Sequence, residues 1–286
     1  MKNYRPDASQ IADKRFGQNF LEDRSVVEQI IQSMPDDDLP VVEIGPGLGD
    51  LTKELVRVRP VTAFEVDKRL CDYLGKNFSR EIADGRLRLE CGDVLERWKN
   101  GSLIDRPYRL VANLPYYIAT NIILKALRDP HCRSTLTMVQ KEVAEKFAAR
   151  EGDRNFSALS VLAGSVGEAR IRLLVPPSAF NPPPKVESAV LEIRKEHNLT
   201  DGGFEAFLKA AFRQPRKTLM KNLSAAYPKS LLEPLFEALK LGKTLRPHQV
   251  GTTLYHRLYQ ALTKEPDHGK ESKPINGKSE QEQLRQ

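Results

Sequence analysis

The stretch VVEIGPGLGDLT, Val41 to Thr52, decides how the first half of the chain is read. A short apolar, β-branched run stops at three glycines, Gly45, Gly47 and Gly49, and DLTKELVRV follows with helical spacing. A strand that ends in small residues before a helix lets a ligand come close to the backbone, and the helix start offers free N–H groups. A dinucleotide fingerprint, G-x-G-x-x-G, needs glycine at position 50, where this chain has Asp50. The spacing is instead G-x-G-x-G preceded by Glu43, which disfavours a pyrophosphate and points to a nucleoside-like ligand. A plain tight turn remains the competing reading of these glycines.

Outward from this stretch the pattern repeats. PVTAFEVD, RLRLECGD, YRLVANLP and STLTMVQ read as further strands. DKRLCDYLGKNF, NIILKALRD and KEVAEKFAAR read as helices, and SVVEQIIQSM is an earlier one. Strands separated by helices imply an α/β fold with a parallel sheet covered on both faces. EARIRLLV and ESAVLEIRK add two strands, joined through the proline-rich PPSAFNPPP. After Lys195 the pattern changes to short helices, beginning with FEAFLKAAF. Between Lys195 and Ala261 there are eleven Lys/Arg and five Asp/Glu. The expected organisation is a domain over residues 1–195, a small basic α-helical domain over 196–263, and a tail over 264–286 too poor in apolar residues to fold.

The chain has 286 residues, 40% hydrophobic and 29% charged, with a formal net charge of +7. These values fit a soluble globular protein with a polyanionic partner. No run approaches the ~20 apolar residues of a membrane span. The polar start carries no apolar signal core, so export is not expected. Cys71, Cys91 and Cys132 form no C-x-x-C pair. Neither a disulfide framework nor a zinc site is expected, and a reducing compartment fits.

Three successive strands end in groups suited to one ligand. After the glycines, the second strand ends at Glu65, 20 residues beyond Gly45, where a carboxylate can accept both ribose hydroxyls. The third ends before Asp93, which can accept from an adenine amine or simply cap a helix. Open α/β sheets bind ligands at this rim. Together these features suggest S-adenosylmethionine. The fourth strand ends in NLPYY, Asn113 to Tyr117. The Asn113 amide oxygen and the Leu114 carbonyl could accept hydrogens from an exocyclic amine. Pro115 fixes the turn. Tyr116 could stack on a base that is flipped out or single-stranded, worth roughly 1–3 kcal/mol. Phe180, in the proline-rich connector, could stack on the opposite face, or pack inward as part of a stiff loop. A capped turn with buried tyrosines is the bland reading of NLPYY.

The segments KRFGQNFL, EIGPGLGDLT, FEVD, GDVL, NLPYYIAT, MVQKEVAEKFAA, AFNPPPKVESAV and AFRQPRKTLMKNL occur in order between Lys14 and Leu223. In that order and spacing they resemble the KsgA/RsmA family of ribosomal RNA adenine N6,N6-dimethyltransferases. The likeness runs from about Lys14 to Leu262. It implies a Rossmann-like class I S-adenosylmethionine-dependent methyltransferase sheet with a small C-terminal α-helical domain. It implies dimethylation of two adjacent adenosines in the 3′-terminal hairpin loop of 16S rRNA, within the 30S subunit, and a role in small-subunit biogenesis. A cytoplasmic monomer without a metal is expected. By the resemblance, Asn19 and Leu21 would close over the cofactor, Gly45 would meet its amino-acid part, Glu65 the ribose and Asp93 the adenine, with Asn113 at the reaction centre. Arg213, Arg216, Lys217 and Lys221 would meet RNA, although Pro215 stands where relatives usually carry a basic residue. Two alternatives stay open: a factor whose binding to the 30S particle matters more than its chemistry, and an Erm-type enzyme acting on 23S rRNA. NLPY in place of NIPY, and the AFNPPPKVES segment, favour the small-subunit family.

Overall fold

The computed structural model describes residues 6–13, 16–99, 101–199 and 202–263. The tail expected over 264–286 lies outside the described residues. The strands in chain order are β1 Phe20–Leu21, β2 Val41–Ile44, β3 Val61–Glu65, β4 Leu87–Cys91, β5 Tyr108–Asn113, β6 Cys132–Gln140, β7 Gly167–Val175, β8 Phe180–Asn181 and β9 Ser188–Lys195. Seven of them form one sheet in the order β4-β3-β2-β5-β6-β9-β7. From β4 to β6 neighbours run parallel. Every residue of β2 and β3 is buried, as β-branched runs covered by helices on both faces should be.

The last long strand departs from the all-parallel expectation. β9 inserts between β6 and β7 and runs antiparallel to both. The connector from Pro176 to Glu187 holds no crossover helix, only a single 3₁₀ turn and the two-residue β8. A parallel neighbour needs a crossover of a dozen or more residues, usually helical, and a direct return does not. β8 pairs with β1, bringing Phe180 opposite Leu21 and Asn181 opposite Phe20.

Two apolar clusters cover the sheet. On one face Val27 and Ile30 of the helix Arg24–Gln32 join Leu51 and Leu55 of the helix Asp50–Val58. On the other, Ile122, Ile123 and Leu127 of the helix Tyr116–Arg128 share a cluster with Val161 of the helix Ala158–Val166. The same cluster continues into Phe204, Phe207 and Tyr255 of the C-terminal helices Gly202–Ala211 and Thr252–Thr263. Each fully buried Leu, Ile or Phe contributes about 1.5–3 kcal/mol. Buried Asp129 ties down the start of β5, accepting from Tyr108 Oη at 2.8 Å, Trp98 Nε1 at 3.1 Å and Leu103 N at 2.8 Å. Among the described residues no helix is long and apolar enough to cross a membrane.

Cys71 and Cys91 are joined as a disulfide, with Cα atoms 6.0 Å apart. This corrects the expectation drawn from the missing C-x-x-C motif. The helix Lys68–Asn77 packs back onto β4, so a pair 20 residues apart in sequence meets in space. Cys132 is buried and free.

Candidate active site

A cavity of about 280 Å³ opens at the ends of β2, β3, β4 and β5. Asn19, Leu21, Gly45, Glu65 and Asp93 line it, and so do Asn113, Leu114 and Tyr116. The rim therefore brings together eight of the residues singled out in the sequence, from five separate segments.

The glycines take left-handed backbone angles, φ +70° at Gly45 and +84° at Gly49. At Gly49 a Cβ would stand 2.6 Å from the Phe78 ring, so any side chain would push the helix Asp50–Val58 off its neighbour. At Gly45 the missing side chain leaves room beside Pro115, whose Cδ would lie 3.6 Å from a Cβ. The glycine turn and the NLPY turn thus meet directly.

Glu65 is 3% exposed. Its two oxygens accept from Gly47 N at 3.1 Å and Asp67 N at 2.9 Å. Burial outweighs these bonds and pushes its pKa up to about 7. Each carboxylate oxygen has a second lone pair for a ligand hydroxyl. Asp93 takes the helix-cap role that was one of its two sequence readings. Its Oδ1 caps the helix Val94–Arg97 by accepting from Leu95 N at 2.8 Å, and its other oxygen has no partner among the described residues.

Asn113 Nδ2 donates to the Asn19 carbonyl at 3.1 Å. This bond orients the amide and leaves Oδ1 without a partner among the described residues. It also gives Asn19 a local role that its sequence surroundings did not reveal. Leu114 N donates to the Met138 carbonyl on β6, which locks the turn to the sheet. The Tyr116 hydroxyl lies 2.6 Å from Ser188 Oγ on β9. Burial raises the Tyr116 phenol pKa and the Ser188 bond partly offsets this. Ser188 is fully buried and was not foreseen, because the antiparallel return that delivers it was not.

Phe180 falls elsewhere. It is 4% exposed, belongs to the apolar cluster with Leu21, Val175 and Val190, and does not line the cavity. The pairing of β8 with β1 turns it inward, as the stiff-connector reading allows, and the stacking wall expected of it is absent from this arrangement. Arg213, Arg216, Lys217 and Lys221 are exposed and lie in and after the turn that follows the helix Gly202–Ala211. Pro215 sits in that turn, where it breaks no helix. Asn222 pins the turn through Gln214 N at 2.8 Å and Gln214 O at 3.0 Å. None of the four basic residues makes an ion pair with a described residue.

Glu43, treated in the sequence only as an acid before the glycines, lies 1% exposed on the cavity wall and accepts from Thr52 Oγ1 at 2.7 Å. Burial pushes it up to about 8, and the nearby Glu65 charge adds to the rise. A carboxyl raised from 4.5 stabilises the fold fully below that value and loses the contribution as pH rises through about 8. Glu43→Gln keeps an acceptor for Thr52 without the charge. It is expected to raise the melting temperature by a few degrees at pH 9 and by less at pH 5, as thermal denaturation at the two pH values would show.

The carboxylates of Glu43, Asp50, Glu65 and Asp93 line the cavity, and no Lys or Arg among the described residues does. Even with Glu43 held largely neutral by burial at pH 7, this acidic lining offers a diphosphate no cation and suits a cationic nucleoside such as S-adenosylmethionine, and the glycine turn leaves room for it. The comparisons agree. A family model described as ribosomal RNA adenine dimethylase matches residues 10–264. Ribosomal RNA small subunit methyltransferase A of Sulfurimonas denitrificans is 60% identical over 250 residues, 87% of this chain and 93% of that protein. The protein of the same name from Helicobacter hepaticus is 47% identical over 270 residues, 91% of this chain and 94% of that protein. Among solved structures, a dimethyladenosine transferase from Plasmodium falciparum superposes with a TM-score of 0.70 at 25% identity, covering 84% of this chain and 95% of that one. The 23S rRNA methyltransferase ErmE superposes with a TM-score of 0.66 at 27% identity, covering 86% of this chain and 100% of that one. With its class I methyltransferase sheet and the match over nearly its whole length, the chain belongs to the ribosomal RNA adenine dimethylase family.

Proposed function

We propose that this chain dimethylates the N6 amines of two adjacent adenosines in the 3′-terminal hairpin loop of 16S rRNA. It would act as a cytoplasmic monomer on the 30S particle, using S-adenosylmethionine. The observation that carries the reading is Asn113. It ends β5 on the rim of a carboxylate-lined cavity, with its Nδ2 tied to Asn19 and its Oδ1 left to accept. The bound cofactor supplies an electrophilic methyl group. Glu65 would hold the ribose, Asp93 the adenine, and Gly45, Asn19 and Leu21 the remainder.

Asn113 Oδ1 and the Leu114 carbonyl accept the N–H hydrogens of the target amine. An adenine amine is a poor nucleophile because its lone pair is delocalised into the ring. Bonds to its hydrogens draw the nitrogen towards tetrahedral geometry and free that pair. Tyr116, its hydroxyl fixed by Ser188, offers a face for the base. No side chain is needed as a strong base, because the amine becomes acidic once methylated and its proton can pass to water. Rate then comes from positioning and hydrogen bonding.

Residues 1–195 would carry the chemistry and 196–263 would grip RNA. The four cations beside Pro215 are free to meet phosphates. Replacing Arg216 and Lys217 with Ala should weaken binding to 30S particles and flatten the dependence of log affinity on log salt by roughly 0.7–0.9 for each phosphate no longer neutralised. An unchanged slope would place the RNA elsewhere on the chain. The function itself is tested by transfer of labelled methyl groups to unmethylated 30S subunits, with 50S subunits as control and the product nucleoside identified by mass. N6,N6-dimethyladenosine in 16S rRNA is the expected product. Label in 23S rRNA would make the chain an Erm-type enzyme, and binding to 30S without transfer would leave it an assembly factor.

A further inference from the structure

Tyr117 is the most exposed large hydrophobic side chain among the described residues, at 61%. It nonetheless lines the cavity. Consecutive helical residues point about 100° apart, so it cannot share a wall with Tyr116, which is tied to Ser188 on β9. Tyr117 turns towards the N-terminal segment, where its Cδ1 lies 3.5 Å from where a Cβ on Gly17 would stand. It lines the cavity with Glu65, Gly92 and Asp93, the residues at the adenosine end of the proposed site, and partial burial together with the acids Asp93 and Glu65 raises its phenol pKa. Val66, next to Glu65, lines the same cavity and is 43% exposed. Two apolar groups left open beside a carboxylate-lined chamber are accounted for by a flat ligand that covers them.

We propose that Tyr117 is the cover of the cofactor's adenosine half: its ring lies on the adenine held by Asp93 and closes against Gly17 of the N-terminal segment. This deepens the reading of the cavity as an S-adenosylmethionine site and rests on it. Four transfers per RNA require four cofactor exchanges, so a cover at this point governs how long each spent cofactor stays.

The test is calorimetric titration of the full chain with S-adenosylhomocysteine and with 5′-methylthioadenosine, which lacks the amino-acid part. Tyr117→Ala should weaken both ligands by about fivefold or more, since base–aromatic stacking is worth roughly 1–3 kcal/mol and 1.4 kcal/mol is tenfold. Tyr117→Phe, which keeps the ring, should bind both within about twofold of the wild type. Unchanged affinities in Tyr117→Ala would overturn the proposal. So would a loss confined to S-adenosylhomocysteine, which would put the ring at the amino-acid end. A wild-type chain that bound neither nucleoside would overturn the cofactor reading itself, whereas Asp93→Ala weakening both ligands would uphold that reading whatever Tyr117 does.

Discussion

Asn113→Ala is expected to lower kcat for methyl transfer to 30S subunits by about 10²–10³, the loss typical of removing one preorganised hydrogen-bonding group at a reacting centre. The Oδ1 acceptor disappears, and the target nitrogen keeps its lone pair delocalised in the ring. The same change removes the bond from Nδ2 to the Asn19 carbonyl. One such bond is worth about 0.5–1.5 kcal/mol, so S-adenosylhomocysteine affinity should fall only a few-fold. Rates measured at saturating cofactor separate the two effects. A variant that kept more than a tenth of the wild-type kcat would show that Asn113 does not act on the amine.

Glu65→Ala should cost the cofactor site more than any other single change. It removes the acceptor for two ribose hydroxyls, each charge-assisted bond being worth about 1.5–3 kcal/mol. It also strips Gly47 N and Asp67 N of their partner in a buried place. S-adenosylhomocysteine affinity should fall by about 10²–10⁴, read by calorimetry. The wild type carries a matching pH signature. Glu65 sits near 7 in the free protein, and ribose hydroxyls favour its charged form. Affinity should therefore fall as pH drops below about 7, approaching tenfold per pH unit, and level off above it. A pH-independent affinity between 5.5 and 8 would take Glu65 off the ribose.

Much of this site was legible because it lies at strand ends. Runs such as VVEI, VTAFE and YRLVAN are β-branched or aromatic and bounded by Pro, Gly or Asn, so the sequence pattern alone puts their C-terminal residues on one rim. The same logic could not deliver sheet order. β9 reaches its place between β6 and β7 through a connector whose only strand, β8, has two residues, too few to show a period of two. That is why Phe180 read as a candidate wall and packs inward. It is also why Ser188 went unnoticed beside Tyr116. Asn19 was marked only through family resemblance, because a carbonyl that accepts from Asn113, 94 residues away, leaves no local trace in sequence. Tyr117 had a local signal in the second tyrosine of NLPYY, but the direction of its ring needed the helix.

A crystal structure of the full chain with S-adenosylhomocysteine decides whether this cavity holds the cofactor in the orientation assigned to it. The expected complex has the ribose hydroxyls within hydrogen-bond distance of Glu65, the adenine amine on the free oxygen of Asp93, and the sulfur on the Asn113 side of the cavity. A nucleoside bound in the reverse sense, with its adenine at Asn113, or bound outside this cavity, would contradict it.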